Sequence, residues 1–339
     1  QKAKRHMSHY RAQFLGACFA TISALIVGPT ATKAEVALGT TQNVSLDQST
    51  VKKVIDGIAV KLREDYVFPD KGVQAADALE KALKENAYAG ITDPSKFAAQ
   101  LTEQLRTITK DSHMRVIFGS PFRNQPPTSA PQDAGFEVKR LNGNVGYIHL
   151  ARFVPPDVFK PAADDAMRKL SDTTALIIDM RDNGGGHPAS VAYLASFFLD
   201  PGKRVHINDL IWRNRGTSTF RTETFWSSPT PVRYLDKPVY VLVGPKTYSA
   251  GEEFAYDLQV LKRATIVGET TRGGANPGGL NDLGSDLFVV VPTGRAENPI
   301  THGNWGGVGV RPDVQTTLGA TEETAVALAK GRPATRFAR

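Results

Sequence analysis

Cysteine is all but absent from this chain: its 339 residues hold one, Cys18. That residue lies inside a leader-like segment, so the chain beyond it has no thiol. Disulfides, thiol catalysis and Cys-ligated metal are excluded there. There is no His-Glu-x-x-His and no close His/Asp cluster, so neither a metal nor another cofactor is indicated. Gly-x-Gly-x-x-Gly, Gly-x-x-x-x-Gly-Lys-Ser/Thr and Gly-x-Ser-x-Gly are all missing, which argues against nucleotide binding and the common hydrolase elbow. The longest apolar stretch, Phe14–Val27, is short for a membrane span. Charge of one sign is also scarce. The formal net charge is +7, but Lys2, Lys4, Arg5, Arg11 and Lys33 precede the first acid; without them 36 basic face 34 acidic residues. Nothing there calls for nucleic acid as a partner. Hydrophobic content of 41% against 22% charged describes a globular chain with a real core.

Residues 1–34 read as a signal peptide. A basic stretch ends at Arg11, the apolar stretch follows, and Thr32-Lys33-Ala34 forms a cleavage site before Glu35. The mature protein is then exported, periplasmic or extracellular, with no stable membrane span. An uncleaved anchor is the competing reading. Lipidation at Leu15-Gly16-Ala17-Cys18 is disfavoured, because too few apolar residues separate it from Arg11. Residues 35–49 read as a linker and 50–119 as a three-helix bundle. Val51, Val54, Ile55, Ile58 and Leu62 fall at helical spacing, and Phe97, Leu101, Leu105 and Ile108 line a helix opened by Asp93. Residues 120–133 form a second linker, rich in Pro, Ser and Gln. From 134 to 318 strands alternate with helices, the pattern of an α/β domain. Strands are expected at Val145–Leu150, Ala175–Asp179, Val239–Val243, Thr265–Val267 and Leu287–Pro292, with a hairpin or lid over Ile207–Phe225. Residues 319–339 supply a closing helix and tail. No repeat or heptad run occurs.

The chemistry concentrates in two stretches. Ser249 stands between the apolar run Val239–Val243 and a helical pattern carrying Phe254, Leu258 and Leu261. With Glu252 three residues on, it makes a helix capping box. A serine at a strand-to-helix turn is also placed to be a nucleophile, beside amides that can hold an anion. The second stretch, Leu176-Ile177-Ile178-Asp179-Met180-Arg181-Asp182-Asn183-Gly184-Gly185-Gly186, is a buried strand followed by three glycines. Such glycines permit a tight turn, a phosphate cradle or an oxyanion hole. Among the histidines, His113 follows Ser112, His149 alternates in a strand, His187 follows the glycines and His206 reads as a loop residue.

Together these residues resemble the C-terminal-processing (tail-specific) serine peptidase family. The resemblance is closest to its branch related to tricorn core protease and interphotoreceptor retinoid-binding protein. It spans roughly residues 50–315. Its motifs, in order, are Tyr66-Val67-Phe68-Pro69, Asp111-Ser112-His113, Asp179 to Gly186, Thr247-Tyr248-Ser249-Ala250-Gly251-Glu252, Val267-Gly268-Glu269-Thr270-Thr271 with Gly273-Gly274, and Asn304-Trp305-Gly306-Gly307-Val308-Gly309-Val310-Arg311-Pro312-Asp313. The resemblance implies a crotonase/ClpP-like β-superhelix catalytic domain behind the helical bundle. The His113–Asp179 interval is too short for the PDZ domain many members insert. It implies Ser249 as nucleophile and His113 as general base, oriented by Ser112. Gly185 and Ala250 are the expected oxyanion hole, and Gly184, Gly186, His187, Gly273 and Gly274 the expected contacts of a peptide or protein substrate. Two positions depart from the family. Gly274 stands where the Ser/Lys version carries its lysine, which argues against that mechanism. Gly306 stands where the tricorn-like version carries an acid, leaving Glu297, Asp282 or His302 as substitutes. An exported serine endopeptidase is therefore the leading expectation. A binder of peptides or apolar ligands on the same fold is the alternative, and an acyl-CoA or ester-processing enzyme the more distant rival.

Overall fold

Helix formation at the amino-terminal end follows from caps and an apolar stripe. α1 (Gln48–Asp65) starts at Asp47, whose side chain accepts from the Thr50 N–H at 2.7 Å. Its Val51, Val54, Ile55, Ile58 and Leu62 are all buried. α2 (Pro69–Lys84) begins on a proline, and α3 (Pro94–Thr109) is capped by Asp93 and ends at Lys110 in the left-handed region. A tight turn through Ser112 and His113 then leads into β1 (Arg115–Phe118).

The computed structural model describes residues 46–119 and 135–331. The leader expected at 1–34 and the linker at 120–133 lie outside the described residues. The second half runs β2 (Phe136–Leu141), β3 (Val145–Leu150), α4 (Pro156–Lys169), β4 (Ala175–Asp179), α5 (Pro188–Ser196), β5 (His206–Arg213), β6 (Phe220–Trp226), β7 (Val239–Val243), α6 (Ala250–Val260), β8 (Thr265–Gly268), β9 (Gly278–Gly284), β10 (Leu287–Pro292), β11 (Gly294–Glu297), β12 (Val314–Gln315) and α7 (Thr321–Ala329).

Six strands form the main sheet in the order β12-β8-β7-β4-β3-β2, parallel except for the edge strand β2. β4 and β7 sit at its centre and are covered on both faces, so they read as unbroken apolar runs rather than alternating ones. Phe159, Met167, Val191, Leu194, Phe254 and Leu258 from α4, α5 and α6 pack on one face, and Ala325 of α7 on the other. Asp179 pairs with Leu242. The loops that follow β4 and β7 therefore leave the sheet side by side, at the carboxyl ends where α/β folds place their ligands.

The helical region is not closed off from the rest. β1 pairs with β10, which pairs with β9, and Leu287, Val289 and Val291 of β10 complete the core under α1–α3. A third sheet, β11-β5-β6, is pinned to the same helices by Arg213, which donates to the carbonyls of Tyr66 and Arg63 at 2.8 Å each. Sequence periodicity missed β2 and β9. β2 carries Glu137, Lys139 and Arg140 at a sheet edge, and five of the seven β9 residues are Gly, Asn or Asp, poor strand formers rescued by pairing.

Candidate active site

At the end of β7 the chain turns through Gly244–Thr247. The Thr247 hydroxyl donates to the Met180 carbonyl at 2.8 Å, and the Tyr248 N–H to the Asn183 carbonyl at 2.9 Å. Both bonds lash this turn to the glycine loop after β4. Ser249 then adopts φ 53° and ψ −120°, a strained backbone for a residue with a side chain, and α6 starts at the next residue. Glu252 turns back to accept the Ser249 N–H at 2.9 Å, the return arm of the capping box expected from the spacing. The same carboxylate accepts from the Thr271 hydroxyl (2.6 Å), the Gly273 N–H (2.5 Å) and the Gly274 N–H (2.8 Å). One buried side chain thus ties the serine turn to the 271–274 loop. Burial raises the Glu252 pKa, and its hydrogen bonds oppose that rise.

Asn183 does the corresponding work on the glycine side. It is fully buried, donates to the Leu150 carbonyl at 2.8 Å and accepts the Gly185 N–H at 2.9 Å. A Cβ on Gly251 would lie 2.7 Å from its Oδ1, so the first turn of α6 has room only for glycine there. Gly185 packs against Ser249: a Cβ at Gly185, whose φ is +102°, would stand 2.7 Å from the Ser249 Cβ. Its N–H, however, is committed to Asn183. Gly186, exposed and with φ +140°, lines the cleft together with Ser249 and Ala250. The cleft is completed by Gly274 and by the apolar walls Leu210, Ala275, Pro277, Ala296 and Trp305. Gly184 is exposed and donates to the Ala151 carbonyl, and His187 caps α5 through Nδ1, so neither borders this cleft.

His113 lies behind Gly274. A Cβ there would fall 2.7 Å from the His113 Cε1 and 2.2 Å from the Tyr248 Cε2. The site the Ser/Lys version fills with lysine is occupied here by two aromatic rings, a physical reason for glycine. The rings of His113 and Tyr248 are 4.6 Å apart, and the Arg272 guanidinium lies 4.7 Å from the Tyr248 ring centre. Burial, reinforced by Arg115, Arg272 and Arg106, pushes the His113 pKa down to about 4. The imidazole is thus neutral at neutral pH and able to take a proton, while its Nδ1 is buried without a hydrogen-bond partner. The His113 backbone N–H donates to the Asp111 carboxylate at 3.0 Å, which also accepts from Tyr66 and Asn276. Among the described residues no hydrogen bond joins Ser249 to His113.

Ser112 has found another partner for the missing acid. Its hydroxyl lies 3.2 Å from the Tyr248 hydroxyl and donates to the Gly273 carbonyl at 3.2 Å. At Gly306 a Cβ would stand 2.9 Å from Asn304 Oδ1, which already accepts the Gly306 N–H at 2.8 Å. None of the three expected substitutes is bonded to Ser112 or His113. Glu297 pairs with Arg295, Asp282 accepts the Gly284 N–H, and His302 sits in a turn bonded to the Asn298 carbonyl. Tyr248 and Asn183 were present in the motifs but carried no assignment, and Glu252 was assigned only as the partner of Ser249 in the capping box. Of the apolar walls only Trp305 stood in a motif; they come together from β5, β11 and two loops.

Comparison with known proteins gives the class. Residues 144–316 match the model of peptidase family S41, and residues 34–139 match the N-terminal domain of Peptidase_S41 in eukaryotic IRBP. The chain belongs to peptidase family S41. It is 31% identical over 175 residues to carboxyl-terminal-processing peptidase 2, chloroplastic, of Arabidopsis thaliana, covering 50% of this chain and 31% of that one. The chain spans less than half the length of the curated relatives it matches. Its fold is similar to that of the photosystem II D1 C-terminal processing protease, at TM-score 0.51 and 17% identity over 80% of this chain and 93% of the other. It is also similar to that of the tricorn protease, at TM-score 0.53 and 12% identity over 85% and 36%. These structural likenesses show the S41 α/β fold. Among the described residues no helix is long and apolar enough to cross a membrane, and no group of three or more acids and histidines is arranged to hold a metal ion.

Proposed function

We propose that this protein is an exported serine endopeptidase that cleaves peptide bonds through an acyl-enzyme. The strained Ser249 backbone at the amino end of α6, with Gly186 and Ala250 beside it in one cleft, carries the reading. His113 takes the Ser249 hydroxyl proton as Oγ attacks the peptide carbonyl carbon. It returns that proton to the amine as the C–N bond breaks, and water then releases the acyl group from the serine. The N–H groups of Gly186 and Ala250 hold the oxyanion. Gly186 takes this role in place of Gly185, whose N–H is bonded to Asn183. Losing one such donor costs about 3 kcal/mol of barrier. Tyr248 stands in for the acid absent at Gly306 by fixing Ser112 and packing on the base. The cleft selects substrate without a PDZ-type module, because β2, β3 and α4 fill the chain between Phe136 and Lys169. Gly273 and Gly274 both give their N–H groups to Glu252, Gly184 gives its own to the Ala151 carbonyl, and His187 caps α5.

The test is reaction of the mature protein with a fluorophosphonate probe and with a mixed peptide library, beside Ser249→Ala and His113→Ala. Labelling and cleavage that depend on Ser249 are expected. Unlabelled protein without peptide cleavage returns the chain to the binding role that the same fold allows.

A further inference from the structure

The mechanism above leaves one group in the cleft unused. Glu253 borders the same cleft as Ser249, and Asp257 follows it by one turn of α6, so both project to one side of the helix. Both are buried, Asp257 completely and Glu253 to 5% exposure. Among the described residues neither carboxyl meets a lysine, arginine or histidine. Asp257 Oδ1 accepts from Asn298 Nδ2 at 2.9 Å, but its Oδ2 has no partner. Asn208 of β5, fully buried, lies against the Glu253 carboxyl, yet neither of its amide atoms makes a well-formed hydrogen bond. Burial raises the pKa of both acids, and the charge of Glu253 raises that of Asp257 further.

Buried polar atoms are normally satisfied, and buried carboxylates are normally paired with a cation. Here one oxygen of Asp257 and both amide atoms of Asn208 are left without partners around the Glu253 carboxyl, and Glu253 borders the cleft of the proposed nucleophile. The walls leading to it are apolar: Leu210, Ala275, Pro277, Ala296 and Trp305. Methylene groups suit such walls, and a positive head suits the floor. The cleft is narrow, with a free volume of about 40 Å³, far below that of a pocket for a whole small molecule, which limits it to one slender side chain.

We propose that this pocket receives a lysine or arginine side chain of the substrate next to the scissile bond, with Glu253 as the specificity-determining residue and Asp257 and Asn208 as its support. The assignment rests on the peptidase reading of Ser249. As the cation enters, Glu253 gives its proton to solvent and the pair becomes a carboxylate against an ammonium or guanidinium. The long Arg and Lys stems lie along Trp305 and Leu210, and the Asn208 amide gains the partner it lacks.

The test compares cleavage of peptides that differ only in the residue supplying the scissile carbonyl: lysine, arginine, norleucine, alanine and glutamate. The expected result is kcat/KM at least tenfold higher for lysine or arginine than for norleucine, and a ratio close to one in Glu253→Gln. That variant keeps the size of the side chain, and continued fluorophosphonate labelling reports that its site is folded. Equal use of norleucine, or a ratio unchanged by Glu253→Gln, overturns the proposal while leaving the peptidase reading in place. A second arm needs no catalysis and no substituted pocket: calorimetric titration of Ser249→Ala with n-butylammonium and with n-butanol. Saturable binding of the cation alone supports the pocket even if Ser249 proves unreactive. Absence of cation binding, or equal binding of the alcohol, overturns it.

Discussion

Ser249 and His113 flank one glycine, yet different forces hold them. The Ser249 turn is fixed by hydrogen bonds from three directions: Glu252 to its own N–H, Asn183 to the amide of Tyr248, and Thr247 to the strand end beside it. These bonds are short, at 2.8–2.9 Å; one is backbone to backbone, and the other two use the Glu252 carboxylate and the Thr247 hydroxyl. The His113 backbone is also hydrogen-bonded, its N–H to Asp111 and its neighbours' carbonyls to Arg106, but its ring is held by packing. Its ring lies on Tyr248 with one nitrogen unpartnered, and the serine before it is oriented by a phenol rather than a carboxylate. A hydrogen-bonded corner tolerates little and drifts little. A packed corner can change its residues as long as the volume is kept. In this chain the departures from the resembled patterns, Gly274 where the Ser/Lys version carries lysine and Gly306 where the tricorn-like version carries an acid, both fall on the His113 side.

Removing the proposed nucleophile tests the pinned corner most severely. Ser249→Ala should reduce peptide cleavage by on the order of 10⁴-fold or more with no loss of folding, read by steady-state kinetics and circular dichroism. Installing lysine at the glycine between the corners should not recreate a Ser/Lys pair. Gly274→Lys should abolish activity and cost about 1–3 kcal/mol in a urea titration, because Tyr248 and His113 occupy the space. Glu252→Ala strips the acceptor from four donors and should destabilise the fold by about 3 kcal/mol. A change in midpoint too small to measure would mean the serine turn does not depend on that carboxylate.

The packed corner should respond more mildly. Tyr248→Phe keeps the ring and loses only the bond to Ser112, so kcat/KM should fall about tenfold with little change in stability, about 1 kcal/mol of transition-state support. Gly306→Glu should change activity by less than about threefold. The acid enters beside Asn304 and meets a Ser112 already engaged, at the cost of one neutral hydrogen bond's worth of rearrangement. A large gain there would show that Tyr248 is a poor substitute.

Acid titration reads the same corner through its pKa. The His113 value falls from 6.5 to about 4, so the folded protein binds this proton less readily than the unfolded chain. Stability is therefore independent of this group above its ordinary value and declines as pH drops through the window down to about 4, by up to ~1.4 kcal/mol per pH unit. The acid limb of kcat/KM should likewise fall near pH 4 rather than near neutrality. Urea midpoints at several pH values, beside His113→Gln, check the slope that this group contributes.

Much of the fold was legible because its signals are local. Val145–Leu150, Ala175–Asp179, Val239–Val243 and Leu287–Pro292 are apolar runs, and each is the strand those runs predict. The Asp93 cap and the Ser249-to-Glu252 spacing also lie within a few residues of what they control. β2 and β9 were not legible, because Lys139, Arg140 and the glycines of β9 become strand only through their neighbours. The helical region looked separable for the same reason: nothing in α1–α3 announces that β10, nearly two hundred residues later, closes its core.

The sequence by itself determined most of the helices and the apolar strands, the serine at a strand-to-helix turn, the glycine loop and the absence of both the lysine and the acid. Those are properties of spacing and residue type along one segment. Only the tertiary structure decided that Tyr248 fills the lysine's place, that Gly186 rather than Gly185 faces the cleft, and that Glu253 ends an apolar slot. Each of those depends on which groups meet after distant segments pack. A hydrogen bond or a steric contact between residues far apart in the chain leaves no periodicity for the sequence to show.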